Sequence, residues 1–193
     1  MKFFLTASLI ASATAFAPNA VNAPKTALNA GITDTIASMQ GPEIFWGSEG
    51  VLEGFDEADI KGYDNFSKLA AAITGAGIDL SGADYTILAP SDSAIDAHVA
   101  AGGAEITADV LKYHVILGKK KIDELNVDQE TLNGGTLTSY RKFRKNWLDN
   151  AIVGLKSEGP SKSASWPSDV EADNGIIHGI DSVLIPGAYT GSR

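Results

Sequence analysis

Apolar and polar positions follow two different rhythms along the chain, a helical one first and an extended one later. From Tyr63 to Ile73 the apolar residues Phe66, Leu69, Ala70 and Ile73 recur at helical spacing, with Asp64 placed as N-cap and Gly75 and Gly77 as a stop. Tyr85 to Ala89 is a short β-rich run ending at Pro90, after which Ser91 or Asp92 can cap a second helix that closes by Gly102-Gly103. Thr107 opens a third helix leading into the apolar run Tyr113 to Leu117. Beyond that point the pattern predicts strands over Leu137 to Phe143, Ala151 to Leu155 and Gly175 to Ile185, the last entered through Asn174-Gly175. Helices first and strands later predict an α+β domain rather than alternating parallel β-α units. Along the last strand, Ile177, Gly179, Asp181, Val183 and Ile185 alternate with Ile176, His178, Ile180, Ser182 and Leu184, which predicts a mixed face on a partly covered sheet.

The residues before this domain carry a different signal. Residues 1–15 have one cation at Lys2, an apolar run from Phe3 to Ile10 and small residues at Ala13 and Ala15, the pattern of a signal peptide. That run is shorter than the roughly 20 apolar residues needed to cross a bilayer, so peripheral rather than integral membrane association is expected. Residues 16–30 carry Lys25, small and hydroxylated residues and no acid, as a plastid or mitochondrial transit peptide does. The junction ATAFAP at residues 13–18 resembles the ASAFAP motif with which diatoms and related algae direct import into complex plastids, with Phe16 at its key position. The other reading is a plain secretory signal, under which the sequon Asn65-Phe66-Ser67 would be a glycosylation acceptor. Residues 31–56 are rich in glycine and lack a sustained period, so an irregular N-terminal arm is expected, with the apolar cluster Ile44, Phe45 and Trp46 as a docking anchor or a surface fold-back. Residues 188–193 form a short C-terminal tail.

Composition narrows the chemistry. The formal net charge of -9 disfavours binding to nucleic acid, whose backbone is itself negative. The charge is uneven: residues 31–96 hold 12 carboxylates against two lysines, whereas residues 97–193 hold 12 against 11 cations. With no cysteine, disulfides, thiolate metal sites and thiol catalysis are excluded. The sequence has no H-E-x-x-H, no G-x-S-x-G and no glycine-rich phosphate loop after a strand.

Three segments line up in order: YTILAPSDSAI (85–95), LKYHVILGK (111–119) and ADNGIIHGIDSVLIP (172–186). Together they make residues 57–187 resemble the fasciclin (FAS1) domain family, whose blocks read TVFAPTDEAF, then Tyr-His with an apolar strand and Gly, then Asn-Gly-x-Ile-His-x-Ile-Asp ending in Leu-x-Pro. The resemblance implies a wedge of β-strands in a sandwich or partly open barrel, with several helices packed at one side. It also implies that Asp92, Tyr113, His114, Asn174, Gly175, His178 and Asp181 are scaffold residues and that no cofactor is used. Read from the residues alone, Asp92 follows Pro90 where a helix begins, so its carboxylate is expected to accept N–H groups of its own first turn. The sequence departs from the family at Ser91, Ser93 and Ile95, and at residues 156–171, which are expected to be an inserted polar loop with Trp166-Pro167 as its bulky feature.

His114 and His178 would form a metal or acid-base site only if the fold brought them together; otherwise they are scaffold. Lys119, Lys120, Lys121, Arg141, Lys142, Arg144 and Lys145 make up seven of the 13 cations after residue 30. They read either as a solvated face that protects a sheet edge or as an electrostatic docking patch, with Phe143 and Trp147 as apolar neighbours. The expected function is a non-catalytic protein-protein interaction module. Its predicted setting is an accessory or assembly subunit at the stromal side of a thylakoid complex such as photosystem I, with core subunits of that complex as partners. The alternative is a secreted or cell-surface adhesion protein.

Overall fold

The computed structural model describes residues 31–42, 63–142, 145–154 and 167–191. The described elements are α1 (Ile32–Ser38), β1 (Gln40–Pro42), β2 (Tyr63–Asn65), α2 (Ser67–Gly75), β3 (Tyr85–Pro90), α3 (Asp92–Ala100) and α4 (Ala108–Tyr113). They continue with β4 (Val115–Leu117), β5 (Gln129–Glu130), β6 (Thr136–Leu137), β7 (Ser139–Lys142), β8 (Lys145–Leu148), β9 (Ala151–Val153), β10 (Val170–Ala172) and β11 (Gly175–Ile180). The main sheet runs β4-β3-β11-β9-β8-β7, with β10 also paired to β11; it does not close into a barrel. Its two longest strands, β3 and β11, pair in parallel from Tyr85↔Gly175 to Pro90↔Ile180, and the other pairings are antiparallel.

The core divides on either side of β3. Tyr85, Ile87 and Ala89 point with Ile177 and Val115 toward the helices, where Leu69, Ile73, Ile95, Val110 and Leu111 meet them. Leu88 points the other way with Ile116 and Ile180, against Leu125, Leu137, Leu148 and Val153 from the second half of the chain. Helices therefore cover one face and the chain's own later strands and loops cover the other, as the α+β expectation requires. The mixed face expected of the last strand is not found: all six residues of β11 are buried, because the strand lies inside the sheet with both faces covered.

Two N-terminal expectations change. The irregular arm is helical over Ile32–Ser38 and extended over Gln40–Pro42, and Ile32, Ile36 and Met39 join the helical side of the core. A seven-residue helix with two inward isoleucines is too short to display a period. The first amphipathic helix starts later than expected, at Ser67, because Tyr63–Asn65 pairs with Gln40–Pro42 as a strand. The expected polar loop at 156–171 ends in β10, whose Val170 pairs with Ile177; residues 155–166 lie outside the described residues.

The helix N-termini are capped across elements. Ser91 caps α3 by accepting from the Ala94 N–H at 3.2 Å. Asp92, expected to serve its own helix, instead accepts from Lys68 N–H at 2.8 Å and from the Ser67 hydroxyl at 2.7 Å, both at the start of α2. Asp64, expected to cap α2, accepts from the backbone N–H and the hydroxyl of Ser93 in α3. Each helix thus takes a carboxylate that precedes or opens the other, and the Lys68–Asp96 ion pair spans the same two helices.

Candidate functional site

The two histidines of the motif blocks are structural bolts. His114 is buried at the end of α4, with Nδ1 donating to the Val110 carbonyl at 2.8 Å and Nε2 accepting from the Leu184 N–H at 3.0 Å. His178 is buried on β11, with Nε2 donating to the Lys120 carbonyl at 2.9 Å and Nδ1 accepting from the Asp169 N–H at 3.2 Å. Each ring uses one nitrogen as donor and the other as acceptor, which only neutral imidazole can do. Burial lowers both values, that of His114 to about 4. The fold gives the histidines separate backbone partners, and among the described residues no group of three or more His, Asp or Glu side chains can hold a metal ion.

The other motif residues also turn inward. The Tyr113 hydroxyl lies 2.7 Å from Asp149 Oδ2 and 3.0 Å from the Thr136 carbonyl, while Asp149 Oδ1 accepts from the Thr138 N–H at 2.8 Å. Asp149 is buried at φ 51° in the turn between β8 and β9, so this network fixes the hairpin that follows. The Asn174 amide donates to the carbonyls of Leu80 and Ala83, tying the β10–β11 turn to the loop that enters β3. Gly175 is required by packing: a Cβ there would stand 2.6 Å from Ile32 Cδ1 and 2.7 Å from the Tyr85 carbonyl oxygen. Asp181 accepts from the Ile152 N–H at 2.7 Å, extending the one-pair contact between β11 and β9. Burial raises its carboxyl to about 6.

The seven-cation window does not form one strip along the sheet. Lys119, Lys120 and Lys121 follow the edge strand β4, whereas Arg141, Lys142 and Lys145 belong to β7 and β8 at the opposite edge. Lys119 pairs with Asp84 at 3.5 Å and donates to the Asp173 carbonyl, and Lys120 Nζ donates to Gln129 Oε1 at 2.6 Å. The backbone of Lys121 donates to Glu124. This triplet lies in a loop bound down by Thr86, whose hydroxyl donates to the Gly118 carbonyl and accepts from the Lys120 N–H. The lysine run is therefore part of the scaffold at its backbone. Ile44, Phe45, Trp46, Phe143, Arg144 and Trp166 lie outside the described residues. Pro167, beside Trp166, meets Gly41 of β1, where a Cβ would stand 2.9 Å from its ring.

The β7–β8 hairpin is the described surface that combines charge with aromatic area. Arg141 and Lys142 are exposed. Tyr140 and Trp147 sit opposite each other in the ladder with rings nearly parallel, centroids 5.8 Å apart at 10°. Tyr189 continues the stack on Tyr140, at 6.0 Å and 12°. All three rings are half-buried, so each keeps contact with solvent. The indole N–H of Trp147 donates to the Lys142 carbonyl at 3.2 Å, which fixes the ring against the hairpin. Tyr140 and Tyr189 are absent from the sequence-predicted contact set. The near-symmetric run Ser139-Tyr-Arg-Lys-Phe-Arg-Lys-Asn-Trp147 signals the first, whereas Tyr189 falls in a tail that sequence alone leaves without structure. A groove of ≈ 310 Å³ near Ala76–Asp79, Ala108, Lys112 and Leu132 carries one carboxylate, Asp79, and one amine, Lys112, in an otherwise largely apolar lining.

These features define a single α+β unit whose motif residues serve the scaffold and whose charged aromatic hairpin faces outward. Residues 64–186 match the fasciclin domain family, and the chain belongs to that family. It is 33% identical over 142 residues to the transforming growth factor-beta-induced protein ig-h3 of Sus scrofa, covering 67% of this chain and 19% of that protein. It is 30% identical over 115 residues to the cell surface glycolipoprotein MPB83 of Mycobacterium bovis, covering 56% of this chain and 47% of that one. The chain thus spans about a fifth of the first relative and about half of the second. Among solved structures it is similar to the FAS1 domain pair of the insect cell adhesion molecule Fasciclin I, with a TM-score of 0.39 and 20% identity. That match covers 61% of this chain and 44% of the other. Among the described residues no helix is long and apolar enough to cross a membrane.

Proposed function

We propose that this chain is a non-catalytic protein-interaction module that uses the β7–β8 hairpin as its docking face. The observation that carries this reading is the contrast in how side chains are employed. Both motif histidines are neutral, buried and consumed by backbone hydrogen bonds. Exposed cations beside a stacked aromatic strip instead form a surface suited to macromolecular contact.

The delivery of this module is read from residues 1–30. The signal-like stretch, the ATAFAP junction and the acid-free segment behind it support import into a plastid. The module then serves as an accessory or assembly subunit at the stromal side of a thylakoid complex such as photosystem I. Blue-native electrophoresis of thylakoids should show the protein comigrating with a large complex, and the charge-reversed variant Arg141→Glu should move into a free pool. A wild-type protein found wholly in the free pool would overturn its place in such a complex. A second reading, a secreted or cell-surface adhesion protein, is supported by the similarity to the mycobacterial MPB83, a cell surface glycolipoprotein. Sequencing the mature N-terminus separates the two: a start near Gly31 supports plastid import, and cleavage before Phe16 with Asn65 glycosylated supports secretion.

A further inference from the structure

The ladder between β7 and β8 fixes which backbone groups point away from the sheet. In an antiparallel pair, residues that exchange hydrogen bonds alternate with residues that do not. The Asp149 N–H donates to the Thr138 carbonyl at 2.9 Å, and the register continues as Ser139↔Leu148, Tyr140↔Trp147, Arg141↔Asn146 and Lys142↔Lys145. Tyr140 and Lys142 are therefore the bonded positions, and the N–H and C=O of Ser139 and Arg141 face outward from the open edge. The structure shows what this edge accepts. The outward N–H of Ser139 donates to the Asp128 carboxylate at 2.8 Å. The next outward N–H, that of Arg141, lies ~7 Å along the strand. Its side chain is exposed, no acid occurs between Ser139 and Trp147, and β8 is the strand partner of β7 among the described residues.

We propose that the edge of β7 beyond Asp128 takes an extended acidic segment of a partner protein as an added strand, paired to the backbone at Arg141 and held by the exposed Arg141 guanidinium. This rests on the hairpin being the docking face and names the chemistry of what docks there. An added strand gains main-chain hydrogen bonds along this edge, its carbonyl accepting from the Arg141 N–H as the Asp128 carboxylate accepts from the Ser139 N–H, while its carboxylates pair with the Arg141 guanidinium. The Tyr140–Tyr189 stack, which continues the aromatic strip away from β8, offers apolar contact to side chains of the added strand that alternate with the acids.

The test uses the full chain and a ten-residue synthetic peptide that alternates Glu with Val or Thr, followed by fluorescence anisotropy. Its control is the same peptide N-methylated at alternate residues, which keeps the charges and blocks strand pairing. The outward N–H of Arg141 takes no part in the hairpin ladder, so Arg141→Pro leaves the fold intact, as an unchanged thermal melt would verify. The N-methylated peptide should bind ~5-fold more weakly than the parent, the worth of one or two main-chain hydrogen bonds. Arg141→Pro should weaken the parent peptide ~5-fold more than Arg141→Ala, which removes charge alone. If Arg141→Pro fails to fold, the N-methylated control on the wild-type chain decides alone. Equal binding of both peptides would overturn strand addition, as would binding only to vesicles of phosphatidylglycerol and phosphatidylcholine. If the peptides fail while Arg141→Glu still releases the protein from its complex, strand addition falls and the docking hairpin stands.

Discussion

The β3–β11 centre and the β7–β8 hairpin use the same kinds of residue in opposite ways. At the centre, imidazoles, carboxylates and amides are turned inward and each is matched to a backbone group: His114 to Val110 and Leu184, His178 to Lys120 and Asp169, Asn174 to Leu80 and Ala83. At the hairpin, Arg141 and Lys142 are exposed and Tyr140, Trp147 and Tyr189 are half-buried. The recognisable motif is thus the scaffold. The hairpin proposed as the docking face lies outside the three motif blocks, though within the span that matches the family, residues 64–186.

On this contrast, substitutions at the centre should cost stability and those at the hairpin should not. The largest effect is expected for His114→Ala, which leaves a cavity and strands the buried Leu184 N–H and Val110 C=O. A loss of about 3 kcal/mol is expected in urea unfolding, and a loss below about 1 kcal/mol would mean that the bolt is dispensable. Gly175→Ala should cost about 2 kcal/mol through overpacking against Ile32 and the Tyr85 carbonyl. Shortening the neighbour in Ile32→Ala/Gly175→Ala should recover part of it, a coupling visible in a double-mutant cycle.

Acid should act on the centre through the histidines. His114 is held below its ordinary 6.5, at about 4, so the unfolded chain binds more protons between those values. Its contribution is complete above pH 6.5 and fades as pH falls toward 4, by on the order of 3 kcal/mol. Asp181 opposes this, because a carboxyl raised from 3.8 to about 6 favours the fold below 3.8 and loses that contribution as pH rises through 6. Asp181→Asn should therefore steepen the acid loss, and unfolding midpoints measured from pH 7 to pH 4 check both signs. An unchanged profile in His114→Gln would show that the titration lies elsewhere. The smallest effect is expected at the hairpin, where Arg141→Ala should change stability by no more than about 0.5 kcal/mol.

What the sequence reveals and what it hides follow the range of the interactions. The start of α3 and its end before Gly102 are legible because Pro90, Ser91 and the glycine pair act on their immediate neighbours. The run Tyr85 to Pro90 is legible as a strand because β-branched and aromatic residues are concentrated there. The exchange of caps between Asp64 and Asp92 is not legible, since each carboxylate serves a residue 24 to 29 positions away. Strands β5, β6 and β10 are two or three residues long, too brief for an alternating pattern. Tyr189 joins the aromatic strip only because the chain returns past β7 after Leu184 is bolted to His114. Of the candidate site, the cations and Trp147 are visible in the sequence. Their division between two edges is a property of strand order alone.

The parallel pairing of β3 with β11 has a consequence for how the molecule is made. The first long strand of the domain finds its full-length neighbour only after roughly ninety further residues have emerged, and loop closure over such a span slows folding. A nascent or translocating chain must therefore travel with Ile87 and Leu88 uncovered on one side. Any truncation before Gly175 should leave a species that chaperones hold rather than a smaller folded protein.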